Sequence, residues 1–248
     1  MTAFPVSEFE LPSIAFFGRS FSEYTQFFDL DPVALRGRTV LDVAAGPAAF
    51  TAEAVRRWIH AVALDPLYGC TPTTLATHVQ LDYARMIAQM RAKPGMFRTT
   101  PAGPAGPGLF PSLDAAEESR RAAAQCFLDD YESGFLHGRY IGGALPCLPF
   151  PARAFDVVLC AHLLFIYARR FGFAWHLAAC RELARVALHE VRLHPLCGAD
   201  GQPYPDLARL CDQLRGYGIA SAVVQVNYEF FIGSGSMLVL KPPRTKRC

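Results

Sequence analysis

The chain has 248 residues, 52% of them hydrophobic, enough to bury one large core; length alone permits one or two domains, and one is expected. Its net charge of +2 demands no polyanionic partner, and the basic residues are almost all arginine, with lysine only at 93, 241 and 246. The eight cysteines show no Cys-x-x-Cys or compact zinc spacing, Glu8 and Glu10 stand where a signal peptide would be basic, and no apolar run reaches the roughly 18 residues of a membrane span, so a soluble, cytoplasmic chain is expected.

Residues 1–37 are expected to form an N-terminal helical lid. Within them Phe21, Tyr24, Phe27 and Phe28 recur at helical spacing, with Ser20 or Ser22 placed to cap. Such a helix packs its aromatic face on a sheet or covers a ligand with Arg19 or Tyr24 facing it, and the two are compatible. Next, Thr39-Val40-Leu41 runs into Asp42-Val43-Ala44-Ala45-Gly46-Pro47-Ala48, and a second apolar run, Ala61 through Leu64, ends on Asp65, nineteen residues after Gly46. Strand, tight turn, helix and acid-capped strand make one nucleoside-binding α/β half. An acid ahead of a small-residue turn suits a zwitterionic nucleoside such as S-adenosylmethionine better than a pyrophosphate.

Residues 70–135 leave this alternation: 72–91 reads as a helix, 94–111 is a loop rich in proline and glycine, and 112–131 reads as a second helix. A helical insertion bordering the substrate pocket is expected there. Strands are then predicted at 140–143, 155–160 and 188–193, and helices at 173–187 and 204–217. Finally, β-rich runs at 220–230 and 236–241 are joined only by Phe231 through Gly235, a link too short for a parallel crossover, so they must pair antiparallel.

The turn Asp42-x-Ala44-x-Gly46, the acid Asp65 and a mostly parallel sheet closing in an antiparallel hairpin together resemble the class I S-adenosylmethionine-dependent methyltransferases over roughly residues 38–240. The segment Leu148-Pro149-Phe150 through Phe155-Asp156 is similar to the one leading into that family's fourth strand. The runs Asp65-Pro66-Leu67-Tyr68 and Tyr228-Glu229-Phe230 to Met237-Leu238 resemble a bacterial branch of it. The resemblance implies an α/β, Rossmann-like class I methyltransferase fold with a mostly parallel seven-stranded sheet, a C-terminal antiparallel hairpin and a helical insertion. It implies S-adenosyl-L-methionine as cofactor. The turn with Asp42, Ala44, Gly46 and Pro47 would curl around the methionine half, Asp65 would accept from both ribose hydroxyls, and Pro66 and Leu67 would flank the adenine. Arg19 and Tyr24 are counted with these positions, as is Cys160 at the end of the central strand.

The chain departs from the family pattern in two places. Ala44 and Ala48 stand where glycines are usual, which the turn tolerates if both keep negative φ. The acid that follows the third strand is missing, so backbone groups around Ala144 and Leu145 would have to meet the adenine.

His162, just past the central strand, is the candidate catalytic residue. It could serve as a general base, as a substrate-orienting group or as a structural histidine, and methyl transfer often needs no base. No metal site is expected, because nothing stands at zinc-ligand spacing from His189 and His194. Glu190 and Arg192 are expected to pair at the sheet's margin. The expected activity is methyl transfer to a small-molecule acceptor, with no nucleic acid, membrane or obligate protein partner implied. The alternatives are a non-catalytic methyltransferase-like binding module and an NAD(P)-dependent oxidoreductase, the latter opposed by the absence of Gly-x-Gly-x-x-Gly.

Overall fold

A computed structural model describes residues 10–99 and 110–243. The ten residues 100–109 of the proline- and glycine-rich loop, the first nine residues of the expected lid, and the basic tail at 244–248 lie outside the described residues.

The elements in chain order are α1 (Phe21–Phe27), β1 (Thr39–Val43), α2 (Phe50–Val55), β2 (His60–Asp65), α3 (Pro72–Ala92), α4 (Leu113–Leu136) and β3 (Tyr140–Gly142). They continue as β4 (Phe155–Ala161), α5 (Phe173–Val186), β5 (Ala187–His194), α6 (Leu207–Gly216), β6 (Ala220–Gln225) and β7 (Ser236–Lys241). The seven strands form one sheet in the order β3-β2-β1-β4-β5-β7-β6. The first five strands run parallel, whereas β7 is antiparallel to both β5 and β6, as the short final connection requires. This is the Rossmann-like α/β architecture implied by the resemblance.

Each face of the sheet carries its own apolar layer. Leu41, Val43, Val158 and Cys160 pack under α5 and α6 with Ala179, Leu183, Leu210 and Leu214. Val40, Val157 and Leu159 face the other way, toward α1 and α2 with Phe21, Tyr24 and Phe50. The alternation along β1 therefore turns Asp42, the neighbour of Leu41 and Val43, toward α1. Short local signals set the helix starts. Ser20 caps α1 in a reciprocal box with Glu23, Thr71 caps α3 ahead of Pro72, and Ser112 caps α4.

The chain leaves β1 for β2 and β3 on one side and returns to β4 on the other, so the strand order reverses between β1 and β4. Val43 and Cys160 are paired at this switch point, where open α/β sheets bind ligands beyond their carboxyl ends.

Two expectations need correction. The turn residue Ala44 does not keep negative φ: it sits in the left-handed region at φ +56, beside Gly46 at φ +55. A non-glycine residue there costs about 1–2 kcal/mol, so the turn is strained where an alanine replaces the usual glycine. The run expected to be strand as far as 230 ends at Gln225. Beyond it, residues 226–235 fold back, with Arg98 donating to the Phe230 carbonyl at 2.8 Å and Ile232 to the Met96 carbonyl at 3.0 Å. Pairing with the segment after α3 outcompetes continuation of the hairpin. It also brings Phe97, Phe230 and Phe231 together.

Residues 70–135 do more than insert a pocket border. The long helix α4 leads into β3 and so completes the β2-to-β3 crossover, while α3 packs against α4 and contributes His78, Asp82, Met86 and Met90 to a cavity wall.

Candidate functional site

A cavity of about 560 Å³ opens at the carboxyl ends of β1, β2 and β4, within the size range of small-molecule sites. Its wall includes Arg19, Ala44, Gly46, Asp65, Pro66, Leu67, Ala144, Leu145 and His162. Four other expected positions are placed elsewhere. Tyr24 is buried against Phe27 and Phe50, Asp42 lies inside the layer beneath α1, Pro47 is pressed on the 16–19 segment, and Cys160 is buried in β4. None of these four side chains lines the cavity. Strand and helix directions turn Tyr24, Asp42 and Cys160 into the core, so Arg19 rather than Tyr24 is the one of that pair facing the cavity.

The turn and the second-strand acid meet directly. The Gly46 amide donates to Asp65 Oδ2 at 3.0 Å, and the Leu67 amide donates to Asp65 Oδ1 at 3.0 Å. The Tyr68 hydroxyl closes the same turn by donating to the Gly46 carbonyl at 2.6 Å. Each Asp65 oxygen thus holds one amide and keeps a lone pair at the cavity wall. Burial lifts the Asp65 carboxyl to about 6, against the pull of the Leu67 and Gly46 amides, so at neutral pH it is largely ionised. Deeper in the fold, burial pushes Asp42 to about 8, with Tyr24 holding it back in part and Asp65 adding to the rise. Neither Asp42 oxygen has a well-formed hydrogen bond among the described residues.

The start of α2 is covered. Arg19 accepts the Ala49 amide at 3.0 Å, and Gly18 lies so close to the turn that an added Cβ would stand 2.0 Å from the Pro47 carbonyl oxygen. The helix N-terminus that would receive a pyrophosphate in a dinucleotide site is therefore taken up by the chain itself.

His162 follows β4 with φ +53, its amide donating to the His194 carbonyl at 2.7 Å. Burial, reinforced by the charges of Arg19, His194 and Arg120, drives its imidazole well below the ordinary value, so it is neutral at pH 7. Its Nδ1 has no partner among the described residues. His194 is core material: it stacks on Phe27 with centroids 4.7 Å apart and meets the Ser234 carbonyl through Nε2 at 2.7 Å, and burial takes it down to about 3. At the sheet's margin, Glu190 pairs with Arg192 at 2.6 Å and with Lys241. Among the described residues, no group of three or more His, Cys, Asp or Glu side chains could hold a metal ion, and no helix is long and apolar enough to cross a membrane.

Sequence reasoning missed the cluster at Glu23, Arg120 and Tyr228. Glu23 is fully buried, its Oε1 taking Arg120 Nη2 at 2.8 Å and the Tyr228 hydroxyl at 2.9 Å. A signal existed. Arg120 interrupts the apolar stripe Ala116, Ala123, Ala124, Phe127 and Tyr131 on the buried face of α4.

No protein-family model matches the chain, and no curated protein matches it significantly. Among solved structures, it is similar to magnesium protoporphyrin IX methyltransferase (ChlM) of Synechocystis PCC 6803 with bound SAM. The identity is 12%, over 85% of this chain and 74% of that one, with a TM-score of 0.43. A TehB-like SAM-dependent methyltransferase of Corynebacterium glutamicum ATCC 13032 aligns at 11% identity over 86% of this chain and 83% of that one, TM-score 0.43. A complex between the Haloferax volcanii Trm112 methyltransferase activator and a methyltransferase aligns at 12% identity over 92% of each chain, TM-score 0.43.

Proposed function

We propose that the chain is an S-adenosylmethionine-dependent methyltransferase acting on a small-molecule acceptor. The observation that carries this reading is the joining of the Ala44 to Gly46 turn with Asp65 at the cavity wall, while residues 16–19 cover the start of α2. Asp65 has the two spare acceptor positions that a ribose diol requires, and the covered helix start disfavours a dinucleotide. When bound, S-adenosylmethionine would supply an activated sulfonium methyl group for transfer to a nucleophilic atom of the acceptor.

In this reading Asp65 holds the ribose, Pro66 and Leu67 flank the base, and Ala144 and Leu145 offer backbone groups to it in place of the missing acid. Arg19 stands over the methionine half. His162, neutral with a free Nδ1, accepts a hydrogen bond from the acceptor and orients it; its lowered proton affinity makes it a weak general base at pH 7. Positioning supplies most of the rate.

Calorimetric titration with S-adenosylmethionine, S-adenosylhomocysteine and NADH, repeated on Asp65→Ala, tests the reading. Micromolar binding of the two sulfur nucleosides, lost in the variant, is expected. Binding of NADH alone would move the chain to the oxidoreductases. No binding of any of the three would favour a non-catalytic module, the reading to which the absent acid at Ala144 and Leu145 points.

A further inference from the structure

Besides Asp65, which serves the turn, the cavity wall carries two arginines around a single buried carboxylate. Arg19 and Arg120 both line it, and Arg120 is only 2% exposed. Glu23 is the carboxylate placed between them, 2.8 Å from Arg120 and 3.9 Å from Arg19. Its capacity is already committed: Oε1 also accepts from Tyr228, and Oε2 accepts the Ser20 amide at 3.1 Å. Asp82, another acid on the wall, is paired with Arg85 at 2.6 Å and with the Phe16 amide. Two guanidiniums therefore share one carboxylate.

The donors left over belong mainly to Arg120. Its Nη2 meets Glu23, but Nε and Nη1 are buried with no partner among the described residues. Arg19 also has one donor without a hydrogen bond among the described residues, Nε, but its Nη1 donates to the Phe17 and Gly18 carbonyls beside the turn. Around Arg120 stand the rings of Phe230, Phe110 and Phe17, with its Cζ 4.7, 5.5 and 5.6 Å from their centroids. These rings and Tyr228 come from the approach to α4, the 226–235 loop and the N-terminal segment. Buried guanidinium donors left without a partner carry a desolvation penalty that an anion accepting from them would remove.

We propose that Arg120 is the anchor for a carboxylate on the methyl acceptor, so that the substrate class is a small aromatic or otherwise apolar carboxylic acid. A carboxylate can accept from the unpartnered donors of Arg120, and the rings of Phe17, Phe97 and Phe230 accept the apolar body. Identifying this ligand as the acceptor rests on the transferase reading; the anion site itself does not.

The test titrates wild-type protein, with and without saturating S-adenosylhomocysteine, with benzoate and 3-phenylpropionate, their uncharged amides, and inorganic phosphate. The carboxylates should bind at least about tenfold more tightly than the amides or phosphate, the weight of one charge-assisted hydrogen bond, and should bind alongside S-adenosylhomocysteine. Arg120→Met should abolish the preference and Arg120→Lys should retain part of it, with the affinity for S-adenosylhomocysteine within about twofold of wild type. Thermal shift on wild type with benzoate against benzamide gives the same discrimination without any variant. Equal affinity for carboxylates and amides would overturn the proposal, as would stronger binding of phosphate. Competition between benzoate and S-adenosylhomocysteine, or loss of the nucleoside in Arg120→Met, would assign the arginine to the cofactor and overturn it too. Carboxylate-selective binding with no nucleoside binding at all would sink the cofactor reading and leave the anion site standing.

Discussion

Asp42 offers a measurement of how strongly the fold perturbs one buried group. It lies on β1 beneath α1, 1% exposed, with neither oxygen well hydrogen-bonded among the described residues, and burial raises its carboxyl from 3.8 to about 8. Between those two values the folded protein keeps a proton that the unfolded chain has released. The stability this group contributes is therefore present in full below about pH 4 and is lost as pH rises toward 8. At about 1.4 kcal/mol per pKa unit, the loss is roughly 3 kcal/mol between pH 5 and 7.5, and about 6 kcal/mol is gone by pH 9. Asp42→Asn removes the titration while leaving a buried polar group, whose own cost of about 1–3 kcal/mol does not depend on pH. Urea unfolding followed by far-UV circular dichroism at half-unit steps from pH 5 to 9 reads the difference. Asp65, raised to about 6, titrates in both proteins and cancels. The variant should gain on wild type by roughly 3 kcal/mol between pH 5 and 7.5. Two parallel curves would refute the burial argument, since they would mean that Asp42 titrates alike in the folded and unfolded states.

Three further outcomes follow from local geometry. Gly18→Ala places a Cβ 2.0 Å from the Pro47 carbonyl oxygen, so it should cost about 1–3 kcal/mol, a fall in Tm of several degrees by calorimetry, and weaken any ligand of the turn; an unchanged Tm contradicts the close approach. Ala44→Gly relieves φ +56 and should stabilise by about 0.5–1 kcal/mol in urea, strain relief of about 1–2 kcal/mol less the added freedom of the unfolded chain; destabilisation would show that the alanine is not strained. Glu23→Gln leaves Arg120 without its carboxylate and should cost about 3–5 kcal/mol, most of it recovered in the double variant with Arg120→Met; an additive cycle would deny the buried pair.

The amino-acid sequence by itself determined the parts of this protein that depend on neighbours along the chain. The run into Asp42, the turn through Gly46 and the acid Asp65 read as strand, turn and strand because their apolar periods and small residues are local properties, and the structure joins that turn to Asp65 through the Gly46 amide. The final antiparallel pair was legible because chain length forbids a parallel crossover, and the start of α1 because Ser20 or Ser22 stands at the head of the aromatic repeat; the structure uses Ser20 and adds the reciprocal bond from Glu23. Tertiary structure alone decided which way each side chain turned. The β1 pleat sends Asp42 under α1, and the packing of α1 on Phe50 buries Tyr24 while leaving Arg19 at the cavity. Ala44 took the left-handed conformation because the turn must reach Asp65, a demand that arises only when β1 and β2 lie side by side. Arg120 and Glu23 are 97 residues apart, and nothing short of the packing of α4 against the N-terminal segment could bring that charge pair to one wall. Local sequence sets backbone period and caps; the direction of a polar side chain, and hence the chemistry of the site, is set by the surfaces that fold against it.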